Sequence, residues 1–165
     1  MKRKSLVFAV LAAAVSAAAV AAIALAAGGG NSPRTVTFHL VEKGQAFHFV
    51  DNPPSGAATQ TASLGDMFVF TSNLFTMGGK RAGVLGAYCV ITAGGKQERS
   101  ECTGSFSLAG GQLHAIVALR GEPKVTKIGI IGGTGAYEGA RGSIVSVTRK
   151  SNDNISDDTV HLLLP

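Results

Sequence analysis

A glycine-rich segment, Ile128–Gly142, constrains this chain more than any other stretch. It reads IGIIGGTGAYEGARG, with five glycines after the apolar pair Ile130-Ile131. Glycines at this density indicate a turn or a close approach of two backbones. A run of alternating polar and β-branched residues, Ser143–Thr148, follows and is typical of a strand. The segment therefore predicts a strand, a glycine turn and a second strand, with Ala136 and Tyr137 packing against the base of a β-structure.

A dinucleotide-binding loop is the alternative interpretation, because Gly133-Thr134-Gly135 opens a glycine-rich pattern. Such a loop needs a helix directly after it, whose N-terminus holds the pyrophosphate. The residues from Arg141 to Thr148 have strand chemistry instead. We therefore prefer the hairpin, and no nucleotide or other cofactor is expected.

The N-terminus is a separate segment. Lys2, Arg3 and Lys4 precede a long uncharged run of Ala, Val, Leu and Ile, and Ala24-Leu25-Ala26 fits the small-x-small cleavage rule. This pattern predicts a signal-peptide helix over residues 1–26 and a secreted protein. A flexible leader over 27–34 and one folded domain over 35–165 would follow.

An uncleaved membrane anchor over residues 5–27 is the alternative, since the apolar run is long enough to span a bilayer. Cleavage is favoured because Gly28-Gly29-Gly30 follows at once. Contact with a membrane is expected only if this N-terminal segment stays uncleaved.

Charge argues against a nucleic-acid partner. The chain has 15 Lys and Arg against 10 Asp and Glu, a formal net charge of +5. Three of those positive charges leave with the signal peptide, and no basic run is interleaved with aromatic residues. The four histidines lack a second ligand at close spacing, so no metal site is expected.

The two cysteines predict one disulfide, since an exported chain folds under oxidising conditions. Cys89 and Cys102 flank a turn signal, Ala93–Lys96. A hairpin that pairs Ile91 with Ser100 also places the two cysteines directly opposite each other on one face. The alternative is two free buried thiols.

Short β-type segments separated by turns cover the rest of the chain. The predicted segments are Thr35–Glu42, Ala46–Val50 after a turn at Lys43-Gly44, Asp66–Thr76, Arg81–Thr92, Gln97–Leu108, Gln112–Leu119, Lys127–Ile131, Gly142–Lys150 and Thr159–Leu164. Residues 51–61 are rich in Pro, Gly, Ser and Ala and are predicted to form a loop. No dozen residues have a helical period, so the domain is predicted to be all-β. A closed eight-stranded antiparallel barrel is favoured over a sandwich because closure removes exposed edges.

Five motifs, in this order, make the domain similar to the allene oxide cyclase-like barrels, which are related to the plant dirigent proteins. They are Ser63-Leu64-Gly65-Asp66, Phe70-Thr71-Ser72-Asn73, Gly79-Lys80-Arg81, Gly86-Ala87-Tyr88-Cys89-Val90-Ile91 and Gly132–Gly142. The resemblance covers residues 36–164. It implies an eight-stranded antiparallel barrel with an apolar lumen, and a homo-oligomer that is often a trimer in plants.

The resemblance also implies a set of site residues. The family's catalytic glutamate falls at His39, and its water-holding asparagine falls at Ser72, beside Asn73. These three are the candidate catalytic residues, with His39 on the lumen-facing side as a general base. The candidate ligand-binding residues of the lumen are Val41, Phe68, Phe70, Cys89, Ile91 and Leu119.

Three functions are compatible with these residues. The first is a barrel that binds or steers a small hydrophobic molecule in its lumen. The second is an isomerase or cyclase that acts there on a fatty-acid-derived or phenolic substrate. The third is a non-catalytic structural barrel whose lumen is filled by its own side chains. Asp66 and Glu138 are further acidic candidates, for which turn-amide bonding and pairing with Arg141 or Arg81 are the expected roles.

Overall fold

Eight antiparallel strands close into a barrel in which each strand pairs with its neighbour in sequence and β8 pairs with β1. The computed structural model describes residues 32–52 and 62–165, so the predicted signal peptide, the first five residues of the predicted leader and most of the predicted loop over 51–61 lie outside the described residues. The strands are β1 (Arg34–Val50), β2 (Met67–Thr76), β3 (Arg81–Ala93), β4 (Arg99–Leu108), β5 (Gly111–Arg120), β6 (Val125–Gly133), β7 (Arg141–Arg149) and β8 (Asn152–Leu164). The predicted fold class is confirmed. No helix of the described residues is long and apolar enough to cross a membrane.

The predicted turn at Lys43-Gly44 is wrong, because β1 runs through it as one strand with a β-bulge. The register with β2 shifts between Gly44 and Ala46, so Gln45 is the extra residue. A Cβ atom at Gly44 would collide with the side chain of Asn154, which explains why glycine lies at the bulge. A bulge reverses the alternation of side chains between the two faces of a strand.

That reversal decides what β1 presents to the lumen. Before the bulge, Leu40 and Glu42 point inward: Leu40 belongs to the buried core, and the Glu42 carboxylate bonds to Ser72. After the bulge, Phe47 pairs with Phe70 and stacks on Phe68, so odd-numbered residues point inward.

The last strand also starts earlier than predicted, at Asn152 instead of Thr159. Its first half, NDNISDD, is rich in Asn and Asp, which are depleted in strands. Within this polar segment, residues 155–158 pair with β1, and Asn152 and residues 156–158 pair with β7, so both neighbours hold it in the sheet. Tertiary pairing has overridden local propensity here.

An apolar core fills one half of the barrel, at the end where β1 begins and the glycine segment turns. We call this the closed end. Its fully buried members are Leu40, Leu74, Leu85, Phe106, Leu113, Ala115, Ile130, Ala140, Ile144, Val160, Leu162 and Leu164. The opposite end, where β1 finishes and β2 starts, is the open end.

The glycine segment forms the predicted hairpin at the closed end. β6 leads into a single 3₁₀ turn, Gly135–Tyr137, and no α-helix follows before β7. The Ala136 N–H donates to the Gly110 carbonyl at 2.8 Å, and Tyr137 packs against the apolar core. The hairpin interpretation is confirmed, and this end of the lumen is closed.

The predicted disulfide between Cys89 and Cys102 is present. The two residues are directly paired in the β3–β4 ladder, two positions from the pair of Ile91 with Ser100. Both cysteines are buried, and their Cα atoms are 4.0 Å apart. The bridge joins residues 13 apart. In the chain-entropy account, a loop of that size stabilises the fold by about 3 kcal/mol.

Candidate functional site

An end cavity of about 710 Å³ lies at the open end of the barrel. It begins where the apolar core stops. Ile91, Ser100 and Leu119 form one cross-strand row of its wall, since Ser100 pairs with both of the others. Phe68 lies one row deeper, paired with Cys89 of the disulfide. The structure thus brings together three predicted lumen residues, Phe68, Ile91 and Leu119, in one cavity.

Phenylalanine rings line the β1–β2 side of this cavity. The ring centroids of Phe47 and Phe68 are 5.8 Å apart, and those of Phe68 and Phe70 are 6.4 Å apart, with both pairs stacked. Phe47 is 68% exposed although it lines the cavity, so an apolar ring lies open to water at the entrance. Such a row of flat apolar faces suits a flat, apolar guest.

A side cavity of about 340 Å³ opens beside the bulge of β1. The pairing of β1 with β8 ends at Lys43 and Ile155, whereas β1 continues along β2. The cavity occupies the gap that the two strands leave. Glu42 and Ser72 line it together with Phe47, which also lines the end cavity.

A buried pair of acids lies where the apolar core meets these cavities. Glu42 accepts a hydrogen bond of 2.7 Å from the Ser72 hydroxyl. Asp158 is 2% exposed and lies on β8, one inward position closer to the core than Ser156, the partner of Glu42. Among the described residues no donor meets the strict hydrogen-bonding geometry at either Asp158 carboxylate oxygen, but Ser146 and Glu42 lie close enough to affect its pKa.

Burial sets the proton affinity of both acids. Desolvation raises the pKa of Glu42, while the hydrogen bond from Ser72 opposes the rise. Desolvation, followed by the negative charge of Glu42, raises the pKa of Asp158 from 3.8 to about 7, with Ser146 opposing. Near neutral pH the pair therefore shares a proton. Such a pair can donate a proton to a guest, or accept one from it.

Two of the three candidate catalytic residues lie on the outer face. His39 alternates with the inward Leu40 and is exposed. Its Nδ1 lies 3.1 Å from the Oγ1 of Thr159, within hydrogen-bonding distance. Asn73 pairs with Lys43 on that same face, one position from the inward Ser72. The expectation that His39 faces the lumen is wrong, because side chains alternate along β1 and Leu40 takes the inner position.

The predicted ligand-binding residues divide in a similar way. Val41 is buried but lies on the outer face, beside Phe75 and Asp157. Phe70 lines the side cavity. Cys89 is inward and is part of the disulfide. Ser72 is the one candidate catalytic residue that the structure places at a cavity.

Sequence reasoning missed Glu42 and Asp158. The signal for Glu42 was present, since it continues the inward series of Val36, Phe38 and Leu40 by alternation. The signal for Asp158 was its position two residues before Val160 and four before Leu162, which places all three side chains on the same face of a strand. It was hidden because that half of β8 does not resemble a strand in composition.

The other acidic candidates have structural roles or none visible. The Asp66 carboxylate accepts the backbone N–H groups of Asn52 at 2.9 Å and Ser63 at 2.7 Å. These hydrogen bonds lower its pKa, so the turn-amide interpretation is confirmed. Glu138 is exposed and forms no ion pair within the described part of the chain, so the expected pairing with arginine is not found there.

Several solved structures have the same fold as this chain. No protein-family profile and no curated protein sequence matches the chain. A structure titled pyocyanin demethylase is 22% identical, with a TM-score of 0.65 over 77% of this chain and 99% of that one. A pterocarpan synthase dirigent protein is 16% identical, with a TM-score of 0.63 over 82% and 88%.

A third similar structure is described as a nonspecific heme-binding cyclase that catalyses a [4 + 2] cycloaddition in neoabyssomicin biosynthesis. It is 14% identical, with a TM-score of 0.67 over 99% of this chain and 84% of that one. At these identities the likeness concerns the fold. This chain therefore has the closed barrel fold of the similar dirigent protein and cyclase structures.

Proposed function

We propose that this protein binds a small hydrophobic molecule in its end cavity and holds it in a fixed orientation. One observation carries the proposal: the barrel is closed and packed at one end, but lined by stacked phenylalanine rings and open at the other. A structural barrel filled by its own side chains would leave no cavity of about 710 Å³ at one end. The similar structures include proteins named for steering or cyclising small organic molecules.

Binding draws on apolar burial, at about 25 cal/mol per Å² of surface removed from water, before the cost of association. The polar groups then fix orientation. Ser100 lies in the wall of the end cavity, and Glu42 and Ser72 lie in the adjoining side cavity.

The protein acts after export in this proposal. The disulfide supports an oxidising compartment, since such bridges are rare in the reducing cytosol. The predicted signal peptide that would direct export lies outside the described residues.

Replacement of Phe68 by alanine tests the binding site, with N-phenyl-1-naphthylamine as a neutral fluorescent probe. Phe68 contacts two neighbouring rings and lines the cavity, so F68A is expected to weaken probe binding by about tenfold or more. The matched control is V69A, because Val69 is the next residue of β2 and is exposed on the outer face. It should leave the affinity within about twofold.

Thermal unfolding of both variants shows whether each is folded at the assay temperature. Equal affinities of F68A and V69A would contradict the placement of the guest in the end cavity. Absence of saturable one-to-one binding by the unmodified protein, with no co-purifying molecule in native mass spectrometry, would contradict the function itself.

A proton-transfer isomerase or cyclase is the second candidate function, and the buried acid pair favours it. Asp158 would donate a proton to one atom of the guest, and the Glu42 carboxylate would accept a proton from another atom of the guest. The guest is then isomerised without a net gain or loss of protons. With a substrate in hand, D158N should retain binding and lose turnover. Retention of full turnover would contradict this role.

A further inference from the structure

We propose that the guest of the end cavity is a flat aromatic cation; this rests on the proposed function and names the chemical class of its ligand. The cavity joins aromatic faces to acidic side chains, and its described lining contains no Lys or Arg. Each of these features is a property of the described residues, and together they favour one charge sign.

A row of phenylalanines provides the aromatic faces. Phe47, Phe49 and Phe68 line the end cavity, and Phe70 follows Phe68 in the stacked series. The face of a phenyl ring carries partial negative charge and attracts a cation placed over it. Stacked rings also match the flat body of an aromatic ligand.

The charged side chains that line the two cavities are acidic. Glu98 and Glu122 lie at the end cavity, and Glu42 lies at the side cavity. Among the described residues that line the two cavities, His48 is the other titratable one, and none is Lys or Arg. The whole chain has 15 basic against 10 acidic residues, so the local sign is opposite to the global one.

Basic residues do lie near the open end, but they face another surface. Lys96, Arg99 and Arg120 line a neighbouring surface hollow together with Glu98. Arg99 and Arg120 pair with each other, one position out of phase with the inward pair of Ser100 and Leu119. No ion pair joins Glu98 to them in the described chain, so its carboxylate has no direct basic partner there.

Desolvation then discriminates among guests. A neutral guest that covers Glu98 and Glu122 removes water from two charges and gives no partner in return, which is unfavourable. An anionic guest adds repulsion. A cation offers each carboxylate a partner in a place of low dielectric, where the attraction is strongest.

The test compares two molecules of nearly equal shape, 1-methylquinolinium and 1-methylnaphthalene, which differ in charge. At low ionic strength the full protein should bind the cation about tenfold more tightly or better, as shifts of backbone NMR signals report. The double variant E98Q/E122Q should reduce that ratio to within about threefold. The control E101Q/E138Q makes the same change in net charge at exposed positions away from the cavities, and it should preserve the ratio.

The outcomes separate the two proposals. Equal binding of the two probes in the end cavity would overturn the cation inference and leave the proposed function standing. A ratio that falls equally in both double variants would also overturn it, because the preference would then come from overall charge. Binding of neither probe would count against the inference and the proposed function together.

Discussion

Replacement of Asp158 by asparagine is expected to stabilise the barrel at alkaline pH by about 2–4 kcal/mol. Asp158 is 2% exposed, and no donor in the described chain meets strict hydrogen-bonding geometry at its carboxylate. Its pKa is raised from 3.8 to about 7, and at about 1.4 kcal/mol per unit that rise corresponds to an upper limit near 4 kcal/mol. Asparagine has the same shape without the charge and can donate to Glu42.

The sign of the pH dependence follows from the direction of the shift. Because the pKa of Asp158 is higher in the folded chain than in the unfolded one, folding takes up a proton between about pH 4 and 7. The unmodified protein should therefore lose stability as the pH rises through this window, and the raised pKa of Glu42 acts in the same sense. Near pH 4 the stabilising effect of D158N should be close to zero, since Asp158 is then protonated in the folded state.

The neighbouring residue provides a matched control. Asp157 points outward and pairs with Arg149 at 2.6 Å, and this partner lowers its pKa. The pair is more than a third exposed, so D157N should cost less than about 1 kcal/mol. This destabilising effect should fade as the pH falls, as the effect of D158N does, but it has the opposite sign. Urea unfolding at several pH values measures both variants, and a loss of stability for D158N at alkaline pH would contradict the account.

Replacement of Gly133 by alanine is expected to destabilise the fold by about 3 kcal/mol or more. A Cβ atom at this position would collide with the carbonyl oxygen of Tyr137 and lie 2.7 Å from that of Gln112. Both oxygens belong to backbone that closes the barrel end, so neither can move without disturbing the hairpin. The glycine is needed here for close approach of backbones.

Gly132 is the matched control, one residue earlier in the same strand. A Cβ atom there would meet nothing within 4 Å. G132A should therefore change the free energy of unfolding by no more than about 0.5 kcal/mol. Denaturant melts of the two variants measure the difference, and equal effects would show that the closed end is not packed as described.

The sequence predicted the strands and the disulfide well because both follow from local patterns. Alternation and turn residues fix the β3–β4 hairpin, and a hairpin register is set by its turn, so Cys89 was placed opposite Cys102. The glycine segment was equally local, since the residues on both sides of it have strand chemistry.

The candidate site was harder to predict because it depends on which side chains of a long strand face inward, and that alternation can reverse along the strand. A single extra residue, Gln45, reverses which side chains of β1 point inward, and no sequence pattern announced it. Alignment by resemblance placed His39 in the lumen, while Leu40 and Glu42 hold the inner positions. Asp158 escaped notice because its strand is held by two neighbours instead of by its own composition.

The central claim is that two acids are buried together at the floor of an open barrel. A pH titration of the side-chain carboxyl carbons, followed by NMR in protein labelled at Asp and Glu, measures it directly. The account predicts one aspartate that titrates at about 7 and whose signal is absent in D158N. Titration of every aspartate and glutamate below about pH 5, as for exposed carboxyls, would contradict it.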